Sequence, residues 1–216
     1  KPAQVTAIQR AFTAPRDKTG TSLYAPFPYD TGITDTAGRI PGFLPTGKPG
    51  MFGPANRDLA IDVDARIQAV RANASQRLID TDSWTNLNTF LGRGGKILFY
   101  HGVSDPWFSA FDTLNYWQRA SAANGAAWRE ASRFYMVPGM GHCRGGDAFD
   151  DFDLLGAVVA WVEQGRTPEA VLSWRSSQPS RQRPMCPWPS YAHYTGGDAE
   201  LAGSYECRMP YGAPKG

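Results

Sequence analysis

The chain has 216 residues, of which 42% are hydrophobic and 12% aromatic, and its formal net charge at pH 7 is +2. These values are typical of a globular protein with a core of ordinary size and exclude a disordered chain. A net charge so close to neutral does not support binding to nucleic acid, and no apolar run approaches the ~20 residues that span a bilayer.

The first 80 residues form the less regular of two predicted segments. Residues 1–13 carry apolar side chains at helical spacing and predict an amphipathic helix. Residues 17–55 are rich in Gly, Pro, Thr and Asp, which predicts a structured insertion or cap. The aromatic side chains of this insertion either line a pocket or form a small core of their own. Residues 59–78 return to helical spacing, with a break expected near residues 73–75.

Residues 94–109, which read GGKILFYHGVSDPWFS, contain the first strong strand pattern. Lys96–Tyr100 is a short apolar run of the kind that forms a strand buried on both faces. The run ends at His101 and places Asp105 just beyond its carboxyl end. Ligands and catalytic groups gather at this end of the strands in open α/β sheets. Phe111–Ala123 then resumes helical spacing.

A second apolar run, Arg133–Val137, repeats this pattern and ends in the glycine-rich segment PGMGHCRGG, which carries His142. A strand therefore delivers an acid, a helix crosses over, and a second strand delivers a histidine. The separation of 37 residues between Asp105 and His142 suits one strand–helix–strand unit. Because α/β-hydrolases carry nucleophile, acid and histidine in that chain order, the pattern predicts the last part of an α/β-hydrolase fold.

The chain after residue 150 predicts one strong helix and a loop-rich tail. Asp150–Gln164 has an acidic first turn and a broad apolar face, and Gly165 is its expected C-cap. Ala170–Trp174 predicts a small edge strand, and from Ser176 onward we predict loop. Residues 81–216 thus form the second predicted segment, with a sheet and helices.

The three cysteines are Cys143, Cys186 and Cys207, so at least one has no partner within this chain. A disulfide between Cys186 and Cys207 would stabilise the loop-rich tail by about 3 kcal/mol in the chain-entropy model, since it encloses roughly 20 residues. The alternative is that all three are buried free thiols in a cytosolic protein.

Asp105 and His142 are the candidate catalytic residues. A neutral imidazole can take a proton from a hydroxyl and return it to a leaving group, and a carboxylate can orient that imidazole and stabilise its charged form. The alternatives are a structural histidine and a helix-capping aspartate. No serine lies in a G-x-S-x-G motif, so we expect the nucleophile upstream of Lys1, on a segment outside this chain. Catalysis by this chain alone is then not expected.

Two further side chains are candidates for contact with a substrate. His101 either faces the substrate or is a core histidine bonded to the backbone, and Phe108 belongs either to an aromatic wall or to the core. An acidic set lacks the spacing of a calcium-binding loop and is interpreted as acids at a helix start; its members are Asp147, Asp150, Asp151 and Asp153. The adjacent pair His142 and Cys143 lacks the spacing of a zinc site, so no metal site is predicted in this chain.

Several stretches resemble the tannase and feruloyl esterase family: GGKILFYHGVSD, VPGMGHCRGG, VVAWVEQGRTPE and RPMCPWP. The resemblance covers roughly residues 80–210, and residues 1–80 are similar to the final part of the family's lid domain. It implies a secreted or periplasmic serine carboxylesterase with an α/β-hydrolase fold. The implied substrates are small esters of aromatic carboxylic acids, of the feruloyl, galloyl or terephthalate monoester type.

The resemblance also implies individual roles. In the family a serine, an aspartate and a histidine form the triad, and the cysteines adjacent to the serine and the histidine form a disulfide. Asp105 matches the acid, His142 the base, and Cys143 the cysteine whose partner stands beside the serine. His101 and Phe108 match positions near the substrate cleft.

The remaining implications concern partners. The resemblance implies a disulfide between Cys186 and Cys207, and an N-terminal half of the same precursor that is linked through Cys143. It implies no cofactor in this chain, and it places a structural calcium ion in the upstream part of the lid.

Two alternatives to the esterase function stay open: another α/β-hydrolase, such as a peptidase or dehalogenase, and a catalytically inert binding fragment of the same fold.

Overall fold

The computed structural model describes residues 1–30 and 62–212, and it contains helices and strands around one parallel strand pair. The predicted elements at 17–55 and 59–78 lie partly outside these residues. No helix within the described ranges is long and apolar enough to cross a membrane. The helices are α1 (Pro2–Phe12), α2 (Val63–Ala72), α3 (Ala74–Leu78), α4 (Asn88–Gly92), α5 (Ala110–Asn124), α6 (Ala126–Ala131) and α7 (Leu154–Gln164). The strands are β1 (Ile97–Gly102), β2 (Ser132–Val137), β3 (Asp151–Phe152), β4 (Val171–Arg175), β5 (Gln178–Met185), β6 (Tyr191–Tyr194) and β7 (Tyr205–Arg208).

The centre of the fold is the unit formed by β1, α5, α6 and β2. The two strands are parallel, and their register runs from Ile97 opposite Ser132 to Gly102 opposite Val137. Because parallel strands end at the same edge of a sheet, the segments that follow Gly102 and Val137 leave the sheet side by side. The predicted strand–helix–strand unit is confirmed.

Aromatic rings fill the space between this sheet and its helices. Trp128 of α6 is fully buried, and its ring centroid lies 5.8 Å from that of Phe99 and 6.2 Å from that of Trp117. Trp117 also contacts Trp188 of the tail, at 5.7 Å. Truncating a buried ring of this size to alanine costs about 3–5 kcal/mol. The cluster therefore stabilises the central unit and fastens the tail to it.

The C-terminal region is antiparallel. The strands β3, β4 and β5 form one sheet in that order, and β6 pairs with β7. The hydroxyl of Tyr135 donates to the carbonyl oxygen of Pro168 at 2.5 Å, so this buried polar atom has a partner. A disulfide joins Cys186, directly after β5, to Cys207 in β7, which confirms the predicted pairing. The apolar core that this region shares with β2 contains Tyr135, Val137, Met140, Ala148, Val171 and Met185.

The helices α2 and α3, which precede the central unit, lie at the surface of the protein. Neither α2 nor α3 contains a buried residue. Asn73 separates them, because its side chain accepts hydrogen bonds from the N–H groups of Ser75 and Gln76 at 2.9 and 3.2 Å. The break expected near residues 73–75 is therefore a capping asparagine that starts a new helix.

Two predictions, one about the burial of β1 and one about the start of the helix after residue 150, are wrong in detail. The strand β1 is not buried on both faces, since Tyr100 is 45% exposed. The helix predicted from Asp150 begins at Leu154, because the side chain of Asp153 accepts the Gly156 N–H at 2.7 Å and caps it. The two residues before Asp153 pair with β4 as the strand β3.

Two predictions about the tail are also wrong. The strand predicted at a sheet edge, β4, lies between β3 and β5. The predicted loop after Ser176 contains β5, β6 and β7. The sequence of β5, QPSRQRPM, has no alternation of apolar and polar side chains. The strand pairs with β4, and its Arg183 lies over the rings of Phe149 and Tyr205.

Candidate active site

Asp105 lies in the turn that follows β1. Its N–H donates to the carbonyl oxygen of Gly102 at 3.0 Å, and the N–H of Ser104 donates to the carbonyl oxygen of Met140 at 3.0 Å. Gly102 has to be glycine, because a Cβ there would collide with the backbone oxygens of Met140 and Gly141. This close approach brings the acid turn against the loop that carries the histidine.

The Asp105 carboxylate is buried, with 4% of the residue exposed, and both of its oxygens accept hydrogen bonds. The N–H groups of Trp107 and Phe108 donate to Oδ1 at 2.8 and 3.2 Å. Ring nitrogens of His142 and His101 approach Oδ2 at 2.8 and 3.3 Å. Burial raises the pKa of this carboxyl, but the hydrogen bonds from His101, His142 and the two backbone groups outweigh burial and hold the pKa below its usual range. Asp105 is therefore ionised at neutral pH.

His142 lies in the glycine-rich loop that follows β2. Gly139 and Gly146 have φ angles of +74° and +87°, which glycine adopts without strain. They pack so closely that a Cβ on Gly146 would collide with the carbonyl oxygen of Gly139. The N–H of Gly145 donates to the carboxylate of Asp150 at 2.8 Å and ties the loop to the chain beyond it.

Asp150 joins this loop to the antiparallel region. One of its oxygens accepts the Gly145 N–H, and the other accepts the Ser176 N–H at 3.1 Å, between β4 and β5. Burial raises the pKa of Asp150, but its hydrogen bonds to Ser176 and Gly145 outweigh burial, and the net effect is a lowered pKa. The interpretation of Asp150 as a helix-start acid is thus wrong, because its carboxylate holds two loops together.

The imidazole of His142 is fixed on one side and open on the other. Nδ1 lies 2.8 Å from Oδ2 of Asp105, and since an ionised carboxylate only accepts, Nδ1 is the donor. In the neutral ring the lone pair is then on Nε2, which makes no hydrogen bond to any residue within the described ranges. The side chain is 35% exposed, and its ring centroid lies 4.6 Å from that of Trp107 and 5.6 Å from that of Phe108. Such an imidazole can act as a general base toward a hydroxyl group.

A cavity of about 330 Å³ opens beside the pair, which is large enough for a small organic ligand. Asp105 and His142 lie on its wall with His101, Phe108 and Cys143. A larger depression, of about 480 Å³, lies near α4 and contains neither member of the pair. The chemistry of the side chains, and not the volume, therefore identifies the smaller cavity as the candidate site.

The structure brings His101 and Phe108 to this cavity. Both nitrogens of the His101 ring are bonded within the protein: Nδ1 lies 2.7 Å from Oγ1 of Thr113, and Nε2 lies 3.0 Å from the carbonyl oxygen of Phe108. Both alternatives for His101 thus apply in part, since it lines the cavity and also bonds to the backbone. Contact of either residue with a substrate stays a prediction. Thr113 of α5 was not identified from the sequence. Helical spacing indicates that one face of α5 packs toward β1, but it does not indicate which polar side chain on that face bonds to His101.

Residues 24–30, here called the strap, bond to the acid turn. The N–H of Ser109 donates to the hydroxyl oxygen of Tyr24 at 3.0 Å, and the hydroxyl of Ser109 donates to the carbonyl oxygen of Pro26 at 2.5 Å. Ser109 is fully buried and also caps α5 by accepting the Phe111 N–H. The start of α5 is therefore fixed to the strap.

The end of the strap bonds to both loops of the site. Asp30 accepts a hydrogen bond from the hydroxyl of Ser104 in the acid turn and another from the N–H of Gly139 in the histidine loop, at 3.3 Å. These partners are 74 and 109 residues from Asp30 in the sequence. No local pattern could have indicated such contacts, and the sequence analysis missed the strap.

Cys143 is the cysteine that lines the cavity among the described residues. Cys143 is exposed and free, with a φ of 66°, and its predicted upstream partner stays a prediction. Within residues 1–30 and 62–212, no group of three or more His, Cys, Asp or Glu side chains is placed to hold a metal ion. Asp147 instead pairs with Arg175.

Comparisons with known proteins agree with these motifs. The sequence model of the family described as tannase and feruloyl esterase matches residues 50–208. The chain is 34% identical to mono(2-hydroxyethyl) terephthalate hydrolase of Piscinibacter sakaiensis, over 97% of this chain and 42% of that protein. It is 32% identical to feruloyl esterase B of Aspergillus niger, over 51% of this chain and 25% of that protein.

Solved structures give the same answer for the fold. An esterase and feruloyl esterase B, both from Aspergillus oryzae, superpose on the chain with TM-scores of 0.75 and 0.73 at 23% sequence identity. Each alignment covers 95% of this chain and 46% of the solved chain. The predicted α/β fold class is consistent with these likenesses, and the chain spans less than half the length of these relatives.

Proposed function

The chain belongs to the tannase and feruloyl esterase family, and from this premise we propose that it is the part of a serine carboxylesterase that supplies the acid and the base of the triad. The observation that carries the proposal is the 2.8 Å contact between Nδ1 of His142 and Oδ2 of Asp105, at the carboxyl ends of two parallel strands. The nucleophilic serine then belongs to a segment outside this chain.

The proposed reaction uses these two residues in fixed roles. The serine hydroxyl attacks the ester carbonyl while Nε2 of His142 accepts the hydroxyl proton, and Asp105 stabilises the imidazolium that forms. The imidazolium gives this proton to the leaving alcohol, and an acyl-serine remains. A water molecule, deprotonated by the same imidazole, then attacks the acyl group, releases the carboxylic acid and restores the serine.

The proposed substrates are small esters of aromatic carboxylic acids, of the feruloyl, galloyl or terephthalate monoester type. The names of the relatives point to acids of this class. The rings of Trp107 and Phe108 beside His142 support an aromatic acyl group, because offset and edge-to-face ring contacts are favourable. In this proposal Phe108 contacts the substrate.

The proposed arrangement includes an upstream partner. Residues 1–80 would end a lid domain, and residues 81–216 would be the C-terminal part of an α/β-hydrolase domain. Cys143, which is exposed beside the base, would pair with a cysteine next to the serine on the N-terminal half of the precursor. The disulfide between Cys186 and Cys207 supports a secreted or periplasmic location, because disulfides persist in oxidising compartments. We place any calcium ion on the upstream part of the lid.

Active-site labelling of the longer protein tests this proposal. A fluorophosphonate probe should modify a serine outside residues 1–216, and His142→Ala should abolish labelling, while His193→Ala should not. If the labelled segment is a separate polypeptide, intact mass without reductant should show it linked to this chain through the proposed Cys143 disulfide, and reductant should release it. No labelling of the wild type would leave the inert binding fragment as the better explanation.

The substrate class needs a second assay. Methyl ferulate, methyl gallate and mono(2-hydroxyethyl) terephthalate should be hydrolysed, and peptide amides and haloalkanes should not. Turnover of an amide or a haloalkane with no turnover of the aromatic esters would favour a peptidase or dehalogenase and refute the proposed class.

A further inference from the structure

The ring of His101 is held at both nitrogens, and its partners determine which nitrogen carries the proton. Nε2 lies 3.0 Å from the carbonyl oxygen of Phe108 and 3.3 Å from Oδ2 of Asp105. A carbonyl oxygen and an ionised carboxylate can only accept hydrogen bonds, so Nε2 must be a donor.

The other nitrogen completes the assignment. Nδ1 of His101 lies 2.7 Å from Oγ1 of Thr113 in α5. In the neutral ring Nδ1 has a lone pair, and the Thr113 hydroxyl can donate to it. The acceptors of Nε2 thus fix the tautomer, and the Thr113 hydroxyl helps to fix the ring orientation, as partners of ring nitrogens commonly do.

The Asp105 carboxylate is consequently fixed from several directions. Its Oδ1 accepts two backbone N–H groups within the turn, and its Oδ2 lies between two imidazole rings, those of His101 and His142. Rotation of the carboxylate would break contacts with both rings. His101 also bonds to the Phe108 carbonyl oxygen, so it closes the turn from residue 105 to residue 108.

From these contacts we infer that His101 is a positioning residue for Asp105: it holds the carboxylate in the orientation that His142 needs and acts through Asp105 instead of on the substrate. The inference rests on the proposed function only for its effect on turnover. Besides Asp105, the titratable groups that face His101 among the described residues are Asp112 of α5 and, on the cavity wall, His142, Cys143, Tyr24 and Tyr100.

Three variants separate positioning from substrate contact. His101→Leu removes the donor, His101→Gln keeps an N–H donor at the end of the side chain, and Thr113→Val removes only the hydroxyl that fixes the ring. In the longer, active protein we expect His101→Leu to lower kcat roughly 10- to 100-fold with KM unchanged, because small misplacements of catalytic groups have effects of that size. His101→Gln should recover most of kcat, and Thr113→Val should lie between the two.

A spectroscopic measurement does not depend on turnover. Carbon-13 NMR of labelled aspartate follows the ionisation of Asp105. Losing a hydrogen bond that stabilises the carboxylate should raise the pKa of Asp105 in His101→Leu but much less in His101→Gln. His193→Leu is the matched control, since His193 lies in β6 and bonds to Tyr191; it should change neither readout.

The outcomes are distinct. A rise in KM with kcat unchanged in His101→Leu would make His101 a substrate contact and overturn the inference. Unchanged kcat, KM and Asp105 titration would also overturn it. If the wild type hydrolyses no ester while the Asp105 titration still responds to His101→Leu, the proposed function fails and the positioning role stands. Thermal unfolding of each variant identifies any that does not fold, and Thr113→Val, which alters only one hydroxyl, then carries the test.

Discussion

The central unit and the antiparallel C-terminal region are held together by different interactions. In the unit, strand register and backbone hydrogen bonds place Asp105 and His142, and the fully buried Trp128 packs against Phe99 of β1. In the C-terminal region a disulfide and ring contacts dominate, such as the Arg183 guanidinium 4.1 Å from the Tyr205 ring centroid. The first region thus sets the geometry of the site, the second adds stability through its disulfide, and Asp150 bonds to both.

Asp105→Asn should remove most of the activity without unfolding the protein. Asparagine keeps an oxygen for the N–H groups of Trp107 and Phe108, but its amide cannot act as the anion that stabilises the His142 imidazolium. We expect kcat in the active protein to fall by about 10⁴-fold. Steady-state kinetics on an aromatic ester measures this. Asp151→Asn, at an exposed carboxylate in β3, should keep full activity, and a similar loss in both variants would contradict the assignment.

Removing the disulfide should have the opposite effect. Cys186→Ser combined with Cys207→Ser should lower the free energy of unfolding by about 3 kcal/mol, with kcat nearly unchanged. Urea unfolding measures the first quantity. Reductant should destabilise the wild type more than the double variant, since the proposed Cys143 disulfide is present in both, and equal sensitivity of the two proteins would show that the Cys186–Cys207 disulfide does not stabilise the tail.

Asp150→Asn should affect both regions at once. The amide can accept from only one of the two N–H groups, Gly145 or Ser176, so one of these part-buried hydrogen bonds is lost. We expect a loss of about 1–3 kcal/mol in unfolding free energy and a several-fold lower kcat, because the His142 loop loosens. If stability falls and kcat does not, Asp150 serves only the antiparallel region.

Asp150→Asn should also change how the stability of the protein depends on pH. The pKa of Asp150 in the folded state is lower than its pKa in the unfolded chain, which is about 3.9 for an aspartate. A lowered pKa stabilises the fold above the unfolded value, and this stabilisation is lost as the pH falls through the folded value. Unfolding midpoints measured from pH 7 down to pH 2 should therefore decline less steeply below about pH 4 in Asp150→Asn than in the wild type.

The smallest effect is expected at the start of α7. Asp153→Ala removes the cap that accepts the Gly156 N–H and should cost about 1 kcal/mol of unfolding free energy, with no change in kcat. Asp151→Ala is the matched control and should stay within about 0.5 kcal/mol of the wild type. A loss of activity in Asp153→Ala would show that α7 also positions the His142 loop.

The elements predicted correctly are those that have a local pattern in the sequence. The apolar runs before Asp105 and His142, the crossover helix and the disulfide partners were all predicted, because each depends on local composition or spacing. The strands β5 to β7 were missed, since their side chains are mostly polar and their pairing is with distant segments. The strap was missed for the same reason, because the hydrogen bonds of Asp30 span 74 and 109 residues and leave no local pattern. Thr113 was missed although only 12 residues separate it from His101.

The strap also bears on the order in which the molecule folds. Its contacts with Ser104 and Gly139 close long loops of chain, and the entropy of loop closure must be overcome before such contacts stabilise anything. The β1–α5–β2 unit, by contrast, forms from one continuous stretch. We therefore expect the two loops of the site to reach their final arrangement late, after the sheet behind them, and the Gly139 amide to become protected from hydrogen exchange last. A polypeptide that has its core but not its strap would be compact and inactive.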